Sequence, residues 1–149
     1  MRWIGAVLLL GTAVSLTGCS AIVALEPAPD AAAPECAAVS VRLPDAIEDL
    51  ARRETNAQAT GAWGEPTAVV LHCGVPVPPP TSTLPCVTPP GGAVDWLVDD
   101  TDNPTYVFTS YGRTPAVSVV IDNTVVSGVS VLDALDVAVS QLPTSGSCL

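Results

Sequence analysis

The chain has 149 residues, a formal net charge of -10 and no lysine; its five basic residues are all arginine. Phosphate recognition needs clustered cations, so composition argues against a nucleic-acid partner. With one histidine and no lysine, the chain is also poor in the side chains that most often supply acid-base or nucleophilic catalysis.

The N-terminus carries an address. Met1-Arg2 is weakly positive, and Trp3 to Leu16 is an apolar run broken only by small or hydroxyl side chains. Such a run fits a secretory leader and falls short of the roughly twenty apolar residues that span a membrane. Leu16-Thr17-Gly18-Cys19 then has the form of a lipobox, with small residues before a cysteine that takes diacylglycerol. Residues 1–18 are thus expected to be a lipoprotein signal peptide and Cys19 the lipidated residue. The leader has no twin-arginine pair, which points to the general secretory route. Because an acidic chain is repelled by anionic headgroups, membrane attachment would rest on the acyl chains, each buried methylene contributing about 0.8 kcal/mol. Residues 19–35 read as a tether of Ala, Pro and acids, able to span roughly 20 Å as a coil or roughly 50 Å if proline stiffens it.

Residues 36–149 are expected to form one domain. The segment 37–42 alternates Val39 and Val41 with Ser40 and Arg42 and reads as a strand, with a helix as the alternative. Residues 44–54 read as a helix: Pro44 opens it, Asp45, Glu48 and Asp49 come early, and Arg52 and Arg53 come late, as the helix dipole prefers. Four strands are expected over 67–73, 94–98, 106–111 and 116–121, the last two joined by a hairpin through Gly112-Arg113-Thr114-Pro115. The stretch between Gly74 and Gly92 holds seven of the fifteen prolines and is too long and proline-rich to lie inside a sheet. A last helix over 130–142 has a serine cap, an apolar face of Leu132, Leu135, Val139 and Leu142, and Pro143 as a stop. This order predicts an α+β fold, a small mostly antiparallel sheet with two helices packed on one face, stabilised by disulfides.

With Cys19 lipidated, Cys36, Cys73, Cys86 and Cys148 remain, an even number for an oxidising compartment. The favoured pairings are Cys73 with Cys86, which would pin the proline-rich loop, and Cys36 with Cys148, which would join the ends of the domain. Spacing does not decide among the three possible connectivities. No cysteine pair has the two-to-four-residue spacing of a zinc knuckle.

Four short blocks run through the domain: Gly61-Ala62-Trp63-Gly64-Glu65-Pro66, Val70-Leu71-His72-Cys73-Gly74-Val75, Asp95-Trp96-Leu97 and Ser110-Tyr111-Gly112-Arg113-Thr114-Pro115-Ala116-Val117. In these blocks the chain resembles the actinobacterial "domain of unknown function 3515" family. The resemblance implies a secreted or lipid-anchored envelope protein and assigns no chemistry. The family pattern more often has arginine where this chain has His72, which weakens a catalytic reading of that histidine.

Each remaining chemical pattern has a plainer structural reading. His72, Asp95 and a serine would be the parts of a hydrolase triad, but no serine sits in a nucleophile elbow. Asp99-Asp100-Thr101-Asp102-Asn103 invites a calcium reading, yet it lacks the glycine and distal glutamate of an EF-hand loop and reads as a solvated acidic turn. Trp63 and Trp96 read as core anchors. Gly61 and Gly64 suggest a tight reversal, since a phosphate loop would need a lysine. Tyr111 and Arg113 are candidate binding residues, a rigid aromatic beside a planar donor; the competing reading pairs Arg113 with the domain's own carboxylates, the 99–102 segment among them.

No metal or cofactor pattern stands out. The expected function is a non-catalytic envelope module that binds another protein or a cell-wall component. The alternatives are a small hydrolase or transferase with an acid and base remote in sequence, and a carrier with an apolar pocket.

Overall fold

A computed structural model describes residues 21–80 and 83–148. Cys19 and the leader lie outside the described residues. In chain order the elements are α1 (Pro34–Ser40), β1 (Ala46–Ile47), β2 (Leu50–Arg53), β3 (Thr60–Trp63), β4 (Val69–Val75), β5 (Cys86–Val87), β6 (Asp95–Asp99), β7 (Thr105–Tyr111), β8 (Ala116–Asp122) and α2 (Gly128–Val139). The strands form one eight-stranded sheet in the order β1-β2-β3-β4-β8-β7-β6-β5. Every neighbouring pair is antiparallel.

Period-two alternation decides which side of the sheet is buried. Register places Trp63 opposite Val69, Val69 opposite Ile121 and Leu71 opposite Val119. These side chains share one core cluster with Cys73, Val117, Trp96 and Phe108, with Cys36 and Val39 of α1, and with Val131, Leu132, Leu135, Ala138 and Val139 of α2. The other alternation carries Val70, His72, Ser118, Val120, Val107 and Thr109, all half-buried. The expected antiparallel sheet is therefore present with two helices, of which only α2 is one of the two expected, in a molecule richer in strand than expected.

Two local expectations are overturned. Residues 34–40 are helical because Cys36 and Val39, three apart, are both fully buried while Val41 is 78% exposed. A strand would have put Val39 and Val41 on one face. Pro34 at the first turn and Glu35 beside it suit a helix start. Residues 44–54 form the β1–β2 hairpin instead of a helix: Ile47 faces Leu50 across a turn in which Glu48 adopts φ 52. The edge of β3, buried along its whole length, needs backbone partners, which Arg52 and Arg53 supply opposite Trp63 and Ala62. Tertiary pairing here outweighs a respectable helical pattern. The two large anchors behave as expected. Trp63 and Trp96 are fully buried; the Trp63 indole N–H donates to the Pro44 carbonyl at 3.0 Å, whereas that of Trp96 has no partner among the described residues.

The segment expected as a flexible tether is bonded to the domain along the residues described. Val23 pairs with Thr55 as a parallel bridge, its N–H donating to the Glu54 carbonyl at 2.9 Å. The Leu25 N–H donates to Asn56 Oδ1 at 2.7 Å, and the Asp30 N–H donates to the Gly74 carbonyl at 2.9 Å. Gly74 has φ +96, and a Cβ there would overlap the backbone of Asp30 and Ala31. Ala31 itself is buried.

The disulfides are Cys36–Cys73 and Cys86–Cys148, with Cα separations of 5.7 and 5.9 Å. This corrects both favoured pairings. Cys73 lies on β4 and Cys86 on β5, four strand steps apart, or roughly 19 Å, far beyond the reach of a disulfide. The proline-rich loop instead crosses to the far edge of the sheet, where Cys148 meets it. Mapping of non-reduced peptides should recover Cys36 linked to Cys73 and Cys86 linked to Cys148, and loss of either bridge should cost about 2 to 5 kcal/mol. Recovery of a Cys73–Cys86 peptide would contradict this arrangement.

Candidate functional site

The sequence-predicted pair Tyr111 and Arg113 is split by the fold. Tyr111 ends β7 half-buried, beside a depression lined by Leu84, Cys86, Leu97 and Cys148. Arg113 is 7% exposed and turns the other way. Its Nη1 donates to the carbonyls of Leu142 at 2.8 Å and Ser140 at 3.3 Å, and its Nη2 to the carbonyl of Ala93 at 2.5 Å. No carboxylate among the described residues forms an ion pair with it, so the expected pairing with the 99–102 acids is not made. The guanidinium instead takes carbonyls that the end of α2 leaves without intrahelical partners, where a cation is favoured by the helix dipole. Asp136 completes the clamp, its Oδ1 accepting from the N–H groups of Ala93 and Val94 at 2.8 and 3.1 Å. Arg113 is thus a structural tie between the β7–β8 turn, the end of α2 and the chain entering β6.

The triad parts are also held apart. His72 on β4 and Asp95 on β6 are three strand steps from each other, or roughly 14 Å. Both Asp95 carboxylate oxygens are engaged, accepting from Thr88 Oγ1 at 2.5 Å and the Cys148 N–H at 2.7 Å. The acidic segment after β6 folds as a side-chain-capped turn: Asp99 Oδ1 accepts from both the hydroxyl and the N–H of Thr101. Asp122 repeats this with Thr124 after β8. In each case the threonine hydroxyl first, and the backbone N–H second, hold the carboxyl below its usual range. Among the described residues no group of three or more His, Cys, Asp or Glu is placed to hold a metal ion.

The surface best suited to a ligand is a groove of about 310 Å³. Its floor is the Tyr106 and Phe108 pair of β7, stacked at 6.2 Å between centroids. Val87, Pro89 and Pro90 wall one side, and Gly128, Val129 and Leu132 of α2 the other. Gly128 matters because a Cβ would press on the Phe108 ring. Val129 is 58% exposed and Val87 38%, leaving apolar surface at the rim. Thr88, Asn123 and Ser127 add a few polar groups, the usual make-up of a small-ligand or peptide groove. A larger depression of about 540 Å³ beside β2 sets Arg52 and Arg53 among Asp45 and Glu54. Arg53 is already ion-paired to Glu65, so that hollow presents little unpaired charge to a ligand.

Sequence reading missed the groove. Its aromatic floor was legible as two residues of one strand face, but Val129 fell outside the expected helix and nothing in the loop marked Pro89 and Pro90 as a wall.

The geometry defines a small, disulfide-bonded, mostly antiparallel β protein with two helices and an apolar groove at one edge of the sheet. A profile described as Protein of unknown function (DUF3515) matches residues 4–146, and the chain belongs to that family. No curated protein and no solved structure matches it.

Two measurements check this site. Replacing Arg113 by methionine should cost about 2 to 4 kcal/mol in chemical denaturation, because it leaves buried carbonyls unpaired, and lysine should rescue little since it cannot fork toward three acceptors; an unchanged midpoint would refute the tie. Asp99 and Asp122, with folded pKa values depressed, contribute stability that is present above the ordinary carboxylate pKa and lost as pH falls through the folded values. Thr124→Val should move the carboxyl titration of Asp122, followed by NMR, upward toward its ordinary range while leaving Asp99 in place. An unmoved Asp122 curve would contradict the stated cause.

Proposed function

We propose that this protein is a lipid-anchored module of an actinobacterial cell envelope that binds, without catalysis, another envelope protein or a cell-wall component through the groove at Tyr106, Phe108 and Val129. The observation that carries the reading is the exposed apolar rim over a stacked aromatic floor, a kind of patch that monomeric proteins seldom leave bare without use. We read both helices as a cover on one face of the sheet, which frames the groove between α2 and the edge at β5.

Two further observations support the address. Two disulfides suit an oxidising, extracytoplasmic environment. The Leu16-Thr17-Gly18-Cys19 pattern supplies the anchor, and no helix among the described residues is long and apolar enough to cross a membrane. Acyl chains on Cys19 would then be the attachment.

The test has two arms. Cys19→Ala should abolish acyl labelling and release the protein from the membrane fraction; labelling that persists would remove the anchor from the account. A photo-crosslinking residue at Val129, compared in intact cells with one at Val41, exposed just after helix α1 and outside the groove lining, should give a discrete adduct from Val129 alone. Equal yields from both positions, or none from Val129, would overturn the groove as the binding surface.

A further inference from the structure

We propose that residues 21–33 are a rigid strap that seats the β1–β2 end of the sheet directly on a lipid bilayer, leaving the domain no slack. The proposal rests on the lipid-anchor reading and adds to it an orientation. Ala21, the first described residue, is held where its carbonyl accepts from Arg53 Nη2 at 2.6 Å. From there Val23, Leu25 and Asp30 are each bonded to the domain, and the strap ends in α1, which Cys36 fastens to β4. Cys19 is two residues before Ala21. Two residues reach at most about 7 Å even fully extended, and the acylated cysteine sits at headgroup level. The β1–β2 end of the sheet, where Arg53 holds Ala21, is therefore kept within about 10 Å of the headgroups.

The chemistry of that end fits contact with lipid. Ile22 is 60% exposed and placed beside the anchor, where an apolar side chain can enter the interface. Arg52 is exposed close by, but Asp45 and Glu54 line the same hollow. Net charge attraction is accordingly small, and the acyl chains and strap do the seating. Counted along the sheet from β2, the groove's floor on β7 lies four strand steps away and its β5 wall six, roughly 19 and 29 Å. The strap thus turns the binding edge away from the anchor.

The test uses full-length acylated protein in vesicles of equimolar phosphatidylcholine and phosphatidylglycerol, with a benzophenone residue at Ile22 or at Val129. Acylation is read in the same samples from the mass of the N-terminal peptide. Ile22 should give phospholipid adducts several-fold more often than Val129, and about twelve flexible Gly-Ser residues inserted after Ser20, worth roughly 20 Å of coil, should erase the difference. Acylated protein with equal adducts at the two sites, no adduct at Ile22, or adducts indifferent to the insertion would overturn the strap while leaving the anchor standing. Absence of acyl on Cys19 would overturn both.

Discussion

Much of this structure depends on one close approach of backbone to backbone, at Gly74. Beside the irregular register between Cys73 and Val75, Gly74 takes φ +96 and lets Asp30 and Ala31 lie against it where any side chain would collide. The Asp30 N–H bonds to the Gly74 carbonyl, and the neighbouring Cys73 is tied to Cys36. Together these fix where the N-terminal segment lies and where α1 begins. The helix α1 itself is a short one, held by the Cys36–Cys73 bridge and the burial of Cys36 and Val39, and the Gly74 contact sets the course of the Pro- and Ala-rich lead into it.

The opposite end of the molecule is closed by a different device. Gly112 has no Cβ, so the chain at Gly146 can pass against it, and Ser145 donates its N–H to the Gly112 carbonyl. The Arg113 guanidinium gathers carbonyls from α2, the segment after it and Ala93, while Asp136 holds the N–H groups of Ala93 and Val94. Cys148 then joins the tail to β5. A charge in so enclosed a place is tolerated because its donors are used on carbonyls that would otherwise lack partners. The residue that looked most available for a partner is instead consumed by the fold.

The strands were legible where alternation was strong. β7 and β8 came within a residue of expectation, and β4 and β6 within two, because Val117, Val119 and Ile121, or Phe108 and Ser110, must face one way. Residues 44–54 misled because Leu43, Ile47 and Leu50 satisfy a helical stripe as well as a hairpin, and only the demand of β3 for an edge partner separates the two. Residues 37–42 misled because Val41 mimics the alternation of Val39 while pointing into solvent. Disulfide pairing depends on strand order, which local pattern does not contain. The groove draws on a loop, a strand and a helix start far apart in sequence, so it too was invisible, although Tyr106 and Phe108 were there to be read as a pair.

On the proposed reading, the Gly74 contact and the strap it terminates convert a lipid anchor into an oriented one, with the β1–β2 end of the sheet at the bilayer and the groove held away from it. Neutron reflectometry of the acylated protein on a supported bilayer tests this most directly. The account predicts protein density beginning within about 10 Å of the headgroups. A hydrated gap of roughly 20 Å or more between headgroups and protein would be the signature of a flexible tether and would contradict it.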